Sequence, residues 1–154
     1  MPKASVKRLI ECKKKDLIDL VLDIEKYPEF VPFCFDAQIH ENKNEGDLTK
    51  IIADLTIGKG PFKDTYKSDV VFNKKEDIIF VKNIEGPLNH LSNNWTFADK
   101  ENGITEVTFD IDFEIKNKFL NSLMVVSFQF GLEKIADAFQ KRAEELFRNS
   151  KNQI

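Results

Sequence analysis

The chain has 154 residues, 42% of them hydrophobic and 32% charged, which is typical of one soluble globular domain and excludes a disordered or fibrous protein. Its net charge of −3 provides no overall basic field, so generic binding to nucleic-acid phosphates is not expected. Fourteen phenylalanines against two tyrosines and one tryptophan favour a large apolar interior or an apolar cavity.

The cysteines and the N-terminus bear on the compartment. Cys12 and Cys34 form no CxxC pair, and with two histidines at unrelated spacings they predict reduced thiols and no metal site. Residues 1–11 contain neither the apolar core of a signal peptide nor an Arg/Ser-rich presequence. No uninterrupted apolar run approaches the roughly 18 residues of a membrane span. The sequence therefore predicts a cytoplasmic protein.

The first elements in chain order are a strand and a short helix. Apolar residues alternate over residues 4–10, which predicts a strand, and then follow a helical spacing from about residue 13 to the Tyr27-Pro28 dipeptide. Residues 27–35, YPEFVPFCF, contain two prolines and predict a compact turn or a one-turn helix with inward aromatic rings.

About six further strands are predicted between this turn and residue 115. A hairpin joins strands near residues 35–39 and 51–57 through a turn at residues 42–47, and two more strands follow before Gly86-Pro87. The clearest alternation covers residues 105–115, where one side is apolar and the other is charged, as in an antiparallel sheet with one solvated face.

A long amphipathic helix is predicted over residues 118–147, with no proline inside it. Its apolar stripe consists of Leu120, Met124, Phe128, Leu132, Ile135, Phe139, Ala143 and Leu146. Residues 119–130 are apolar nearly all round, whereas charged residues fill the outer face from Glu133 onward. A sheet with one apolar face must be covered, and this helix is the one predicted element large enough to cover it. The sequence therefore predicts an α+β fold. Because a curved sheet often leaves a gap beneath such a helix, a ligand site is expected between the two.

Two motifs, YPEFVPFC at residues 27–34 and GPLNHLSNNWTF at residues 86–97, resemble the START-like coenzyme Q-binding and ribosome-association-toxin family, also labelled polyketide cyclase/dehydrase or oligoketide cyclase/lipid transport proteins. Leu88 stands where that family commonly has Phe. The resemblance covers about residues 3–147 and implies a helix-grip (START/Bet v1-like) fold. In that fold a curved antiparallel sheet wraps a long C-terminal helix, with short helices after strand 1. We expect a single START-like domain at residues 1–148 and a flexible tail at 149–154.

The resemblance implies two different functions. Members of the eukaryotic type bind coenzyme Q in mitochondria, whereas some bacterial relatives bind the large ribosomal subunit, block subunit association and belong to toxin–antitoxin pairs. Without a presequence this chain resembles a bacterial member. The leading hypothesis is a protein that binds ubiquinone or a related isoprenoid lipid between sheet and helix and supports respiration. The alternative is a ribosome-associating toxin.

The candidate ligand-contacting residues are Phe30, Phe33, Phe35, Tyr66, Trp95, Leu120, Leu123, Met124, Phe128 and Leu132. The aromatic turn is either a gate on a cavity or a plug at one end of the sheet. The apolar half of the helix faces a ligand, a membrane surface at the inner membrane or a protein partner, because one sheet covers only one stripe. The basic residues near the N-terminus are either a ribosome-binding patch or a solvated edge.

No catalytic group is predicted. Asp110, Asp112 and Glu114 belong to the solvated face of their strand, and His90 is a loop residue that is either solvent-exposed or near a quinone head group. The chain contains no Ser-His-Asp arrangement, phosphate-binding glycine loop or dinucleotide fingerprint. We therefore expect a binding protein without a cofactor or metal and without DNA as a partner, and a polyketide cyclase or aromatase is the least favoured hypothesis.

Overall fold

The computed structural model describes the backbone of residues 3–59, 61–86 and 88–148, and the side chains in these ranges except those of residues 59, 62, 85, 88, 89, 115, 120–128 and 148. The strands are β1 (Lys3–Ile10), β2 (Cys34–Glu45), β3 (Leu48–Lys59), β4 (Phe62–Asn73), β5 (Ile78–Glu85), β6 (Leu88–Asp99) and β7 (Thr105–Ile115). The helices are α1 (Lys14–Leu22), a 3₁₀ helix (Ile24–Glu29), a 3₁₀ turn (Glu101–Gly103), α2 (Lys118–Ala143) and a final π turn (Glu144–Arg148).

The strands form one antiparallel sheet of seven strands in the order β1-β7-β6-β5-β4-β3-β2. Its register shifts twice along the β2–β3 pair, and such irregularities bend a sheet. The predicted α+β helix-grip architecture, with a curved antiparallel sheet, a short helix after β1 and a long C-terminal helix, is confirmed.

The first hairpin turn is shorter than the sequence predicts. The strands continue to Glu45 and restart at Leu48, which leaves a two-residue connection. Gly46 has φ +61°, a left-handed conformation that glycine adopts without strain, so the reversal needs fewer residues.

Helix α2 lies over β1 and β7. On its inner side Leu132, Phe139 and Ala143 are buried, as the predicted stripe requires. Two polar contacts link its second half to β1: Arg8 pairs with Asp137 at 3.1 Å, and the Gln140 amide donates a hydrogen bond to the Leu9 carbonyl. The second half of α2 is thus attached to the edge strand by polar contacts as well as by its apolar face.

Phe139 of α2 packs against aromatic rings of the sheet and of the aromatic turn. Its ring centroid lies 5.0 Å from that of Trp95 on β6, 5.4 Å from that of Tyr27 and 5.1 Å from that of Phe30, each in an edge-to-face arrangement. Trp95 in turn packs on Phe109 of β7 at 4.3 Å. Because such aromatic pairs add to the free energy of burial, this group ties α2, the sheet and the aromatic turn together.

A second, smaller apolar cluster lies on the same face of the sheet. It consists of Tyr66, Leu91 and Phe113, with Leu55 and Ile111 packed against it. These residues belong to β4, β6, β7 and β3, and Leu55 and Ile111 also pack against the main core around Phe139, so they connect the two clusters. The concave face of the sheet therefore carries two apolar regions.

Replacing Phe139 with alanine should lower the free energy of unfolding by about 3–5 kcal/mol, since a buried ring and its aromatic contacts are lost. Urea unfolding followed by Trp95 fluorescence measures this loss. The matched control is Phe130→Ala on the same helix, whose ring is 63% exposed and should cost no more than about 0.5 kcal/mol. Equal losses in the two variants would contradict the role given to Phe139.

Candidate ligand-binding site

The aromatic turn packs mainly against the second half of α2. Phe30 contacts Phe139, and the Arg142 guanidinium lies 5.2 Å from the Phe30 ring centroid while pairing with Glu29 at 3.0 Å. The Tyr27 hydroxyl donates a hydrogen bond to the Val21 carbonyl. The structure thus places Phe30, a predicted ligand contact, among the residues that anchor the turn.

Phe33 and Phe35 lie further toward β2. Phe33 has φ +69°, which is uncommon for a bulky residue, and its carbonyl accepts a hydrogen bond from the Gly58 amide at 3.0 Å. A Cβ built on Gly131 would lie 3.8 Å from the Phe33 ring, so this ring faces α2 at the end of its apolar half. Phe35 is 46% exposed and stacks under Lys63, whose Nζ is 4.1 Å from the ring centroid.

The first half of α2 presents aromatic rings to solvent. Phe119 is 71% exposed and Phe130 is 63% exposed, with the Lys134 ammonium 4.6 Å from the Phe130 ring. Eleven residues separate the two rings, so they lie on one side of the helix, about 16 Å apart. Among the predicted contacts on α2, Leu132 is buried in the main core, whereas the side chains of Leu120, Leu123, Met124 and Phe128 lie outside the described residues.

Tyr66 is held in place by the backbone of Gly86. A Cβ on Gly86 would lie 2.7 Å from the Tyr66 Cβ, and the φ of Gly86 is +140°, so only glycine fits here without strain. Burial raises the pKa of the Tyr66 hydroxyl well above the usual tyrosine range, which keeps this group protonated. Tyr66 and Trp95, both predicted contacts, are buried on the concave face of the sheet.

Polar side chains cross the concave face between the two apolar clusters. Ser68 pairs with Asn83 across β4 and β5, and Asn93 on β6 pairs with Val81 of β5 and Ile111 of β7. Ser68 and Asn93 are buried, and leaving a buried polar group unpaired costs about 1–3 kcal/mol. The sequence analysis missed these three residues, although Asn93 alternates between the inward residues Leu91 and Trp95.

The basic residues near the N-terminus are largely paired. Each of four lies within 4.0 Å of a carboxylate: Lys3 of Asp112, Lys7 of Glu106, Arg8 of Asp137, and Lys14 of both Asp77 and Asp99. Hydrogen bonds from Lys14 to Asp77 and Asp99 raise the pKa of this lysine. These pairs weaken the positive field of the predicted patch.

His90, predicted as a loop residue, belongs to β6 and lies on the convex face of the sheet, as do His40 and Asp54. His90 Nε2 is 3.5 Å from Asp112 Oδ2, and His40 Nε2 is 2.7 Å from Asp54 Oδ2. An open depression of about 510 Å³ on the same face is lined by Leu48, Lys50, Asp69, Val71, Asn73, Glu76, Ile78, Phe80, Lys82 and Asn94. It is separated from the concave face by the thickness of the sheet.

Residues 3–59, 61–86 and 88–148 contain no cluster of three or more His, Cys, Asp or Glu side chains arranged for a metal ion. Within the same ranges, none of the helices combines the length and the apolar composition that a bilayer span requires.

Three weakly acidic groups, the hydroxyls of Tyr27 and Tyr66 and the half-buried thiol of Cys34, make the fold sensitive to alkaline pH. Burial raises the pKa of the Cys34 thiol to about 11 and raises the pKa values of the Tyr27 and Tyr66 hydroxyls above the usual tyrosine range. The folded state therefore keeps protons that the unfolded state releases above about pH 8.5 for cysteine and about pH 10 for tyrosine. Stability should consequently fall as the pH rises through this window.

Urea unfolding between pH 7.5 and pH 10.5 should show this decline, beginning near about pH 8.5 and steepening above about pH 10. Cys34→Ser should remove the early part of the decline and leave the late part, because serine does not titrate there. A free energy of unfolding that stays constant up to pH 10.5 would show that these three groups hold their protons no more tightly in the folded state than in the unfolded state.

A curved antiparallel sheet that grips a long C-terminal helix, with a mixed polar and apolar concave face, defines a protein of the START-like class. Residues 11–140 match the model of the family described as "Polyketide cyclase / dehydrase and lipid transport", and the chain belongs to this family. A START superfamily protein from Mycobacterium smegmatis has the same fold, with a TM-score of 0.80, 19% identity and coverage of 94% of this chain and 98% of that one.

The relatives of this chain include ribosome association toxins and a coenzyme Q-binding protein. The chain is 32% identical to the ribosome association toxin RatA of Rickettsia prowazekii over 144 residues, which are 92% of this chain and 95% of the relative. It is also 32% identical to the mitochondrial coenzyme Q-binding protein COQ10 of Dictyostelium discoideum over 133 residues, 85% of this chain. The match spans 63% of that COQ10 protein, less than two thirds of its length.

Proposed function

We propose that the protein binds ubiquinone or a related isoprenoid lipid between the concave face of the sheet and α2, as a carrier that supports respiratory electron transport. The observation that carries this proposal is the second apolar cluster, Tyr66, Leu91 and Phe113, which lies beside the polar residues Ser68 and Asn93. Apolar walls with a few polar groups are the usual composition of a site for an amphiphilic ligand. The similarity to a coenzyme Q-binding protein and the lipid-transport family support the same function.

Transfer of a lipid between membranes and this site requires a surface that meets a bilayer. The exposed rings of Phe35, Phe119 and Phe130 supply apolar groups, and Lys63 and Lys134 stack on two of these rings. Aromatic and basic side chains together favour the interface of an anionic membrane. We therefore include transient contact with the inner-membrane surface in the proposed function.

A binding role fits the concave face better than a catalytic one. The polar groups that it carries between the two apolar clusters are the Ser68 hydroxyl and the amides of Asn83 and Asn93, and none of these exchanges a proton near neutral pH. Both relatives, moreover, are named for binding or association and not for a reaction.

Binding can be measured with Trp95, the single tryptophan, because it is buried two residues from Asn93. Decylubiquinone should quench its fluorescence saturably at one site. Phe113→Ala should weaken binding at least about tenfold, since a ring of the apolar wall is lost. Phe80→Ala on the convex face is the matched control and should bind like the original chain.

Linear quenching that does not saturate, matching free tryptophan amide, would contradict the proposal. So would equal effects of Phe113→Ala and Phe80→Ala. Lipid extraction and mass spectrometry of the purified protein provide an independent check, in which an isoprenoid quinone is expected.

The second candidate function is association with the large ribosomal subunit. It is favoured by the similarity to a ribosome association toxin over nearly the whole length of both chains. The exposed face of α2 around Phe119 and Phe130 offers an apolar contact surface, whereas the paired N-terminal cations offer a weakened basic one.

Overproduction of the protein tests this candidate through sucrose-gradient profiles. We expect the protein to sediment with the large subunit and the 70S peak to fall, and Phe119→Ser with Phe130→Ser should abolish both effects because the exposed rings are lost. Normal profiles with no protein in the large-subunit fractions would exclude this function.

A further inference from the structure

Ser68, Asn83 and Asn93 form a row of polar side chains on the concave face, and Asn93 differs from the other two in its hydrogen bonding. Its side chain is 8% exposed, and its amide oxygen, Oδ1, has no hydrogen-bond partner among the residues that the structure describes. The alternation of β6 directs this side chain to the concave face, between Leu91 and Trp95. A buried acceptor without a donor is unfavourable in the free protein and is available to a ligand that brings a donor.

The neighbouring polar residues differ from Asn93 because each has a structural partner. The amide oxygen of Asn83 accepts a hydrogen bond from the Leu91 backbone amide at 2.8 Å, where the regular β5–β6 pairing ends. The Ser68 hydroxyl donates to the Ala53 carbonyl at 3.2 Å. These two side chains complete the sheet, whereas the Oδ1 atom of Asn93 satisfies no group of the described chain.

The surroundings of Asn93 suit a flat ring with a polar substituent. Its cross-strand neighbours Val81 and Ile111 are apolar. Along β6, Trp95 and Leu91 link it to the main core and to the second cluster. A ring that packs against these side chains would bring a substituent within reach of the Asn93 oxygen.

We infer that Asn93 is the residue that recognises the head group of the ligand: its amide oxygen accepts a hydrogen bond from a ring hydroxyl, so the site takes a hydroquinone in preference to the quinone. This inference rests on the proposed function and assigns the polar end of the same site. A hydroquinone presents two O–H donors, whereas the quinone of equal size presents acceptors only. The hydroquinone can therefore satisfy the buried Oδ1 acceptor, whereas the quinone can only accept from the Asn93 NH2 group and leaves Oδ1 unpaired, so the two redox forms should bind with different affinities.

The experiment compares decylubiquinol with decylubiquinone, which share a tail and a ring and differ in the hydroxyl donors. Calorimetric titration under argon should show that the original chain binds the quinol about 5- to 10-fold more tightly. In Asn93→Leu this ratio should fall to near one. The same substitution should leave stability unchanged or raise it, because it removes an unpaired buried group.

Asn83→Leu is the matched control, with the same substitution on the same face. It should lower stability, because the Leu91 amide loses its acceptor, and it should keep the preference for the quinol.

The outcomes separate the two levels of the proposal. If the original chain binds neither compound, the proposed function fails and the assignment of Asn93 fails with it. If the original chain binds both but Asn93→Leu keeps its quinol-to-quinone ratio, or if Asn93→Leu destabilises the protein as Asn83→Leu does, only the role of Asn93 is overturned. Asn93 would then belong to the structure of the sheet, paired with a buried water.

Discussion

The packing of Phe139 against Trp95, Tyr27 and Phe30 is the interaction on which the rest of the structure depends. A curved sheet has one apolar face that must be covered, and in this chain α2 provides the cover. Phe139 fixes this helix by contacting the middle of the sheet and the aromatic turn at the same time. The position of the aromatic turn relative to the sheet follows from this attachment.

The described side chains of α2 differ along the helix: those that anchor it lie in its second half, and exposed aromatic rings lie in its first half. Leu132, Phe139 and Ala143 are buried in the main core, whereas Phe119 and Phe130, earlier on the same helix, are exposed to solvent. Exposing large apolar rings is unfavourable unless they meet a ligand, a membrane or a partner. The side of α2 that carries Phe119 and Phe130 is therefore where we expect the protein to meet other molecules.

The concave face of the sheet also carries two groups of apolar residues, one in the main core and one in the second cluster. Trp95 and Phe109 belong to the main core, and Tyr66, Leu91 and Phe113 form a second cluster with Asn93 between the two. An unpaired amide oxygen between the two apolar clusters lowers the free energy of unfolding, but it leaves an acceptor available to a ligand. Proteins commonly accept this exchange at binding sites.

The sequence alone predicted many residues of the candidate site, but not which of them pack in the core and which are exposed. Tyr66 and Trp95 were predicted as ligand contacts, and both are buried on the concave face. The motif at residues 27–35 predicted packed aromatic rings, yet only tertiary contacts separate Phe30, which is set against Phe139, from Phe35, which is largely exposed. Rings of the same type in one short segment carry no local signal that distinguishes the two environments.

Hydrophobic periodicity by itself determined the order of strands and helices, the α+β class and the extent of the long helix, because these depend on neighbours a few residues away in the chain. The tertiary structure alone decided that the amide oxygen of Asn83 has a backbone donor and that of Asn93 has none among the described residues, although the two are the same residue type on adjacent strands of one face. The state of a buried amide depends on which donors the paired strands bring within about 3 Å, and the alternation of apolar residues predicts the face of a side chain but not the donor that it meets.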